Sequence, residues 1–212
     1  MKMLIHKRRG LARIFLVALL AVLAGNAEAH STVKGVGDLY AGLLHVLTAL
    51  EHVLPFVALS LLAGQRGLKA QAEGVLLAFP VALMIGASAA LWLPPIHGLA
   101  LFNIASAILL GGLVAAAWTL PIWLFYGLVV IFGFSHGFAN GEAITDSIKA
   151  YLFILGIGLA GVAVLAYGTL MVDFLLKRRI GWITIAVRVA GSWIAAIGVL
   201  VLATAGKSLL TS

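Results

Sequence analysis

Six apolar segments, each about 20 residues or longer, follow one another along the chain and constrain its fold more than any other feature. A helix needs roughly 20 apolar residues to cross the hydrocarbon core of a bilayer. The chain is 63% hydrophobic and 10% charged, whereas soluble domains are about 25% charged. The sequence predicts an all-α, polytopic membrane protein, a bundle of six transmembrane helices with spans near residues 38–63, 74–93, 98–117, 122–144, 149–176 and 182–205.

The first 29 residues have the pattern of a cleavable secretory signal peptide. A basic segment, Lys2 to Arg9, precedes the apolar stretch Ile14 to Leu23, and Ala27-Glu28-Ala29 provides a small-x-small cleavage pattern. We expect cleavage after Ala29, which leaves residues 30–212 as a single transmembrane domain; an uncleaved signal anchor is the alternative. The new N-terminus, His30, can chelate a divalent metal with its α-amino group and imidazole, or it is an exported end that binds nothing.

The distribution of basic residues predicts how the helices are oriented. Without residues 1–29 the chain has nine Lys and Arg against six Asp and Glu, a net charge of about +3, which gives no support for nucleic-acid binding. We expect a location in the bacterial cytoplasmic (inner) membrane with both mature termini on the exported side. The five basic residues of the predicted cytoplasmic loops then outnumber the three on the exported side, as the positive-inside rule requires.

The chain contains no cysteine, which excludes disulfides, thiolate metal sites and cysteine catalysis. Any metal site must use imidazole, carboxylate, amide or backbone oxygen, a set that suits Ni(II), Co(II), Zn(II) or Cu(II). Only four methionines are present, two of them in the signal peptide, so a methionine-lined Cu(I) route is not expected. Nothing resembles a nucleotide site, and no permanently bound cofactor is expected.

The first apolar segment carries four ionisable residues: Asp38, His45, Glu51 and His52. Such groups cost several kcal/mol each inside hydrocarbon, so they indicate a function or a binding partner. Asp38, His45 and His52 are spaced by seven and share one face of a continuous helix, about 10.5 Å apart along its axis. That spacing is too long for one chelate. The residues therefore form either a polar pathway that needs ligands from another helix, or structural hydrogen-bonding groups.

The fourth segment supplies the second polar cluster. His136 and Asn140 are at positions i and i+4 and share a helical face. In the expected topology this cluster lies at a depth in the membrane compatible with that of the first-segment residues. We therefore predict that His45 or His52 lies across from the fourth segment, near enough to share an ion with His136.

Four further features receive structural interpretations. His97 follows a Pro-Pro pair in an exported turn and is predicted to be a surface residue. Asn103 is predicted to form a packing hydrogen bond, and Asp173 to be neutralised near Lys177. The small residues of segment 156–161 indicate a close helix–helix contact rather than a nucleotide site, because no βαβ unit surrounds them.

Two short motifs resemble those of the HupE/UreJ family of hydrogenase and urease accessory membrane proteins. The family's first-span motif has the form H-P-x-x-G-x-D-H. His45 and His52 match its two histidines, Glu51 replaces its Asp, and Val46 and Ala49 stand where the family has Pro and Gly. Replacement of Asp by Glu keeps the carboxylate.

The family's second motif resembles H-G-x-A-H-G. His136, Gly137, Ala139 and Gly141 match it, and Asn140 replaces its second histidine. An amide is a weaker metal ligand than imidazole, so this chain resembles a divergent member. The resemblance implies nickel or cobalt uptake for metalloenzyme assembly, with a metalloenzyme or its maturation proteins as partners, in addition to membrane lipid.

The sequence thus favours a secondary permease for a divalent transition metal, with Ni(II) first and Co, Zn or Cu as alternatives. The expected path comprises His45, Glu51, His52 and His136, supported by Asp38 and Asn140, with His30 at the entrance. The rival is a non-transporting membrane subunit that binds metal or delivers it to a partner enzyme. An intramembrane hydrolase is disfavoured, because Glu51 and His52 lack the H-E-x-x-H arrangement, so no enzyme activity is expected.

Overall fold

The computed structural model describes residues 37–67, 70–178 and 180–210, all within one compact unit. Residues 1–36, which include the predicted signal peptide and His30, lie outside the described residues. The described residues form seven helices and no strand, which confirms the predicted all-α class. The helices are α1 (Asp38–Thr48), α2 (Leu50–Arg66), α3 (Ala70–Ala90), α4 (Leu99–Ala116), α5 (Ile122–Gly141), α6 (Ala150–Lys177) and α7 (Gly181–Leu210).

Four of these helices, α4 to α7, are long and apolar enough to cross a bilayer. The pair α1 and α2 passes the same test when taken as one bent span, which gives up to five candidates. Helix α3 is apolar but shorter over Gly74–Ala90. Each predicted span therefore coincides with one helix or with the bent pair, and the count of six crossings stays a prediction.

The first predicted span is broken, and the expectation of one continuous helix over 38–63 is wrong. Helices α1 and α2 meet at Ala49 with a bend of 74°, because the extended backbone of Ala49 (φ −86°, ψ 111°) interrupts the helical path. Pro55 lies in the second turn of α2. Proline lacks an N–H donor and crowds the carbonyl four residues earlier, here that of Glu51, which disfavours a continuous helix through this segment.

Glycines let helices of the bundle approach backbone to backbone. A Cβ atom on Gly42 would collide with the Phe153 carbonyl, and one on Gly156 would collide with the Leu39 carbonyl, so α1 and α6 pack on reciprocal glycines. Helices α3 and α5 do the same, because Gly137 faces the Leu83 carbonyl. This confirms the close helix contact predicted for the small residues of segment 156–161. Such contacts are typical of membrane bundles, where small residues permit van der Waals packing.

At the end of the bundle opposite to Asp38, three polar side chains donate hydrogen bonds to backbone carbonyls. Two of these carbonyls belong to the last turn of α4, and one lies in the connection that follows it. Gln65 donates to the Val114 carbonyl at 3.0 Å and Arg188 donates to the Ala115 carbonyl at 2.7 Å. Arg66 donates to the Leu120 carbonyl at 2.6 Å. Carbonyls at a helix C-terminus have no partner within the helix, so these bonds fix the end of α4.

Asp173 is buried and pairs with Lys177 at 2.7 Å, as the sequence predicted. The two residues are one helical turn apart near the end of α6, where Lys177 is mostly exposed. Such i, i+4 pairs neutralise a carboxylate without a partner from another helix.

Adjacent glycines of α4 provide a test of the α4–α7 contact. A Cβ on Gly111 would lie 2.7 Å from backbone atoms of Gly191 and Ala195, whereas a Cβ on Gly112 would meet nothing within 4 Å. We predict that Gly111→Ala lowers the stability by about 1–3 kcal/mol, the usual range for overpacking. Gly112→Ala should be neutral or stabilising by up to about 1 kcal/mol. Thermal unfolding in detergent measures both, and equal effects would contradict the close contact.

Candidate metal centre

Three histidine rings from two segments of the chain lie close together, two of them buried and that of His45 half-buried. His52 of α2 and His136 of α5 are both buried, and their Nδ1 atoms are 3.4 Å apart. The ring of His45, from α1, lies 5.6 Å from the ring of His52 between centroids. We call these three residues the histidine cluster. The contact predicted between the first and fourth apolar segments is thus confirmed for His52 and His136.

The break at Ala49 explains why His45 joins the cluster. On a continuous helix the two imidazoles would stand about 10.5 Å apart along the axis. The 74° bend turns α1 back toward the start of α2, so the rings become neighbours. The expected separation of about 10.5 Å between His45 and His52 is wrong, because it assumed an unbroken helix.

The separation of the His52 and His136 Nδ1 atoms suits a shared metal ion. Imidazole nitrogens bind transition metals at about 2.1 Å, so an ion bridging a 3.4 Å gap would subtend an N–metal–N angle of roughly 108°. That angle is near tetrahedral, and closing the gap to about 3.0 Å would give the octahedral 90° at the same bond length. Within the described part of the chain, no three His, Asp or Glu side chains form a complete metal-holding group. The pair of His52 and His136, called the dyad below, does not form such a group by itself.

Helix α4 supports the dyad with two polar residues of one face. Ser106 Oγ lies 2.9 Å from His136 Nε2 and also donates to the Asn103 carbonyl at 2.6 Å. Asn103 Nδ2 donates to the Ser135 carbonyl at 3.3 Å, which confirms its predicted packing hydrogen bond. Sequence reasoning missed Ser106. The available signal was the i, i+3 spacing of two polar residues in an otherwise apolar span.

Two buried amide oxygens have no hydrogen-bond partner among the described residues, although the Nδ2 atoms of the same side chains donate to the carbonyls of Ser135 and His136. Asn140 is fully buried and donates Nδ2 to the His136 carbonyl at 2.6 Å, while its Oδ1 has no protein partner. Asn103 is only 3% exposed, and its Oδ1 atom likewise has no protein hydrogen-bond partner. A buried polar atom without a partner costs free energy. Each of the two oxygens is therefore able to accept a further hydrogen bond or to act as a ligand.

Two phenylalanine rings pack against the histidine cluster. The Phe56 ring packs edge-on against His136 with centroids 5.5 Å apart, and Phe153 lies 5.6 Å from His45. In a low-dielectric environment each interaction with a charge is stronger than in water. The same environment makes an uncompensated charge costly, so a cation would enter only with its ligands in place.

The remaining predicted site residues lie away from the dyad or are exposed. Glu51 is exposed in the first turn of α2, although His52 beside it is buried. Asp38 Oδ2 accepts a hydrogen bond from the Lys149 backbone N–H at 3.2 Å, where α6 begins. His97 is exposed in the turn before α4, as predicted. The structure thus brings together His45, His52, His136 and Asn140 and gives Asp38 a helix-terminus contact.

We predict that Asp38 stabilises the bundle rather than binding metal. A carboxylate at a helix N-terminus contributes about 0.3–1 kcal/mol, so Asp38→Ala should lower the stability by that amount. The shift in Tm that Ni(II) or Co(II) produces should stay unchanged, because the dyad is untouched. Asp146→Ala, an exposed aspartate in the preceding turn, is the control for loss of charge. A large loss of metal-induced stabilisation in Asp38→Ala alone would place Asp38 in the site.

The fold and the site together define a class: a multi-pass, all-helical membrane protein with a histidine cluster in its interior. A family model described as HupE / UreJ protein matches residues 17–201, most of the chain. The chain therefore belongs to the HupE/UreJ family, as its two motifs indicated. This membrane family is of an accessory or transporter type, associated with nickel and cobalt and linked to hydrogenase and urease maturation. No curated protein and no solved structure matches the chain.

Proposed function

We propose that the chain is a secondary permease for a divalent transition-metal ion, with Ni(II) as the favoured cargo, and that it supplies metalloenzyme maturation. The observation that carries this proposal is the buried His52–His136 dyad, whose Nδ1 atoms are 3.4 Å apart. Burial of two facing imidazoles inside apolar helices is costly unless the nitrogens have partners. Without metal the two Nδ1 atoms are partners of each other at 3.4 Å, and a divalent ion between them would bind both nitrogens in place of the shared proton.

The donor chemistry supports a borderline transition metal over other cations. Imidazole suits Ni(II), Co(II), Zn(II) and Cu(II), whereas Ca(II) and Mg(II) prefer carboxylate and carbonyl oxygen. The incomplete protein ligand set is a reason to favour transport over permanent binding. An ion must be bound well enough to enter the membrane but weakly enough to leave. A histidine dyad without a complete set of side-chain ligands meets that condition better than a closed four-ligand site.

The proposed orientation is that of the sequence: a bacterial inner-membrane protein whose mature termini are exported. The start of α1 contacts the start of α6 through Asp38 and Lys149, which puts both helix starts at one end of the bundle. Arg66 and Lys177 lie at the helix ends on the other side. This arrangement agrees with the positive-inside pattern.

The proposal is tested by radiometal uptake into vesicles that contain this protein alone, with Ni, Co, Zn and Cu in competition. We predict that His52→Ala and His136→Ala each lower the affinity for the transported ion by about 100-fold or more. Loss of a residue that only supports a metal ligand already costs about 10–100-fold, and these two histidines are proposed as direct ligands. His45→Ala should reduce uptake as well, because its ring adjoins that of His52. His97→Ala, an exposed histidine, is the matched control and should transport normally.

The outcomes separate transport from binding. Normal uptake in both dyad variants would contradict the site. Metal binding that depends on the dyad, without flux in vesicles, would support the rival accessory subunit that delivers metal to a partner enzyme. Preference for Co, Zn or Cu over Ni would show that Ni(II) is not the transported ion, but it would leave the proposed site and the permease function standing.

A further inference from the structure

We infer that Ser106 is a positioning residue that fixes the tautomer of His136, so that the Nδ1 atom of His136 presents a lone pair to the metal path. This inference deepens the proposed function by adding a residue from a third helix. It concerns the dyad's readiness to accept a metal ion. The inference stands on the hydrogen bonds of Ser106, which involve no residue of α2.

The argument begins with the single proton of a serine hydroxyl. Ser106 Oγ lies 2.6 Å from the Asn103 carbonyl oxygen and 2.9 Å from His136 Nε2. A carbonyl oxygen only accepts, so the hydroxyl proton must lie toward Asn103. The Ser106 oxygen is then an acceptor toward His136, and His136 Nε2 must carry the hydrogen.

A neutral imidazole has one protonated and one bare nitrogen. With Nε2 donating to Ser106, the Nδ1 atom of His136 is the bare nitrogen. That atom is the one that faces His52 Nδ1 at 3.4 Å. Without metal, the His52 N–H can donate across this gap; with metal, the ion takes the place of that proton. Only His52 then has to change tautomer, because His136 is already in its binding form.

This role resembles that of the hydrogen-bond acceptors that orient metal-bound histidines in many proteins, which fix the ring and its tautomer. Here the acceptor is a hydroxyl held by the backbone of its own helix. Ser106 is 1% exposed, so water does not compete for the bond. The position of α4 against α5 therefore sets the chemistry of His136.

Ser135 is the natural control. It is buried next to His136 in sequence, and its hydroxyl likewise donates to a carbonyl three residues earlier, that of Phe132, at 3.2 Å. Its hydroxyl has no hydrogen bond to the His136 ring among the described contacts. Ser135→Ala and Ser106→Ala each remove one buried hydroxyl group. Only Ser106→Ala also removes the hydrogen-bond acceptor of His136 Nε2.

The first experiment uses the full chain with ¹⁵N-labelled histidine in detergent or bilayers without metal. Nitrogen NMR distinguishes a protonated from a bare imidazole nitrogen, and His136→Ala assigns the signal. We expect His136 to be in the Nε2–H form in the wild type and to become a mixture of tautomers in Ser106→Ala. A wild-type His136 in the Nδ1–H form would overturn the inference, and so would an unchanged tautomer in Ser106→Ala.

The second experiment measures the binding of Ni(II) and Co(II) by equilibrium dialysis. Ser106→Ala should weaken binding by about 10–100-fold, Ser106→Thr should restore it because the hydroxyl is kept, and Ser135→Ala should leave it unchanged. Equal losses in Ser106→Ala and Ser135→Ala would show a packing effect and overturn the inference. Failure of the proposed permease function would look different: binding would still depend on Ser106, but vesicles would show no flux.

Discussion

The arrangement of the interior depends on one constraint, which is that a chain within a membrane can leave its helical path only where its backbone groups find partners. The break at Ala49 meets this condition. The Ala49 N–H donates to the His45 carbonyl at 3.3 Å, and its own carbonyl accepts from His52 and Val53 at 3.0 Å. Because Ala49 is only 2% exposed, these bonds need no water. The break can therefore bring two histidines together while both backbone groups of Ala49 keep hydrogen-bond partners.

The dyad in turn depends on the distance between helices. Gly137 and Gly141 let α5 lie directly on backbone atoms of α3, at Leu83 and Ala87. This contact fixes the face of α5 that carries His136 and Asn140. The glycine that follows His136 in the second family motif thus has a physical explanation, since any side chain there would move α5 and change the gap to His52. The packing of α5 on α3 and the position of the His136 ring are therefore coupled in the same turn of helix.

Much of the fold could be predicted, because length and apolar content alone identify membrane helices. The predicted spans 98–117, 122–144 and 149–176 match α4, α5 and α6 to within a few residues. The His52–His136 contact could also be predicted, from the depths of the two polar clusters. The family was identified from the motifs around the same histidines.

The break and the role of α4 could not be predicted, for different reasons. Pro55 is compatible with a straight, a kinked or a broken span, and only packing against α6 selects among them. Ser106 looks no different from Ser135 in sequence, since both serines can bond a carbonyl of their own helix. The distinction lies in which helix faces the serine, and that is a property of the bundle. Glu51 was named with His52 because they are adjacent, yet α2 turns one outward and the other inward.

The position of the dyad along α2 has an electrical consequence. His52 lies near the start of α2 and Arg66 at its end, and the helix between them rises about 21 Å, roughly two-thirds of a 30 Å hydrocarbon core. In the proposed orientation, an ion reaching the dyad has crossed only about one-third of the membrane voltage. Each charge crossing 100 mV gains about 2.3 kcal/mol, so a divalent ion gains about 3 kcal/mol on the remaining two-thirds. For the proposed permease, the membrane potential would therefore act mainly on release of the ion to the interior rather than on its capture.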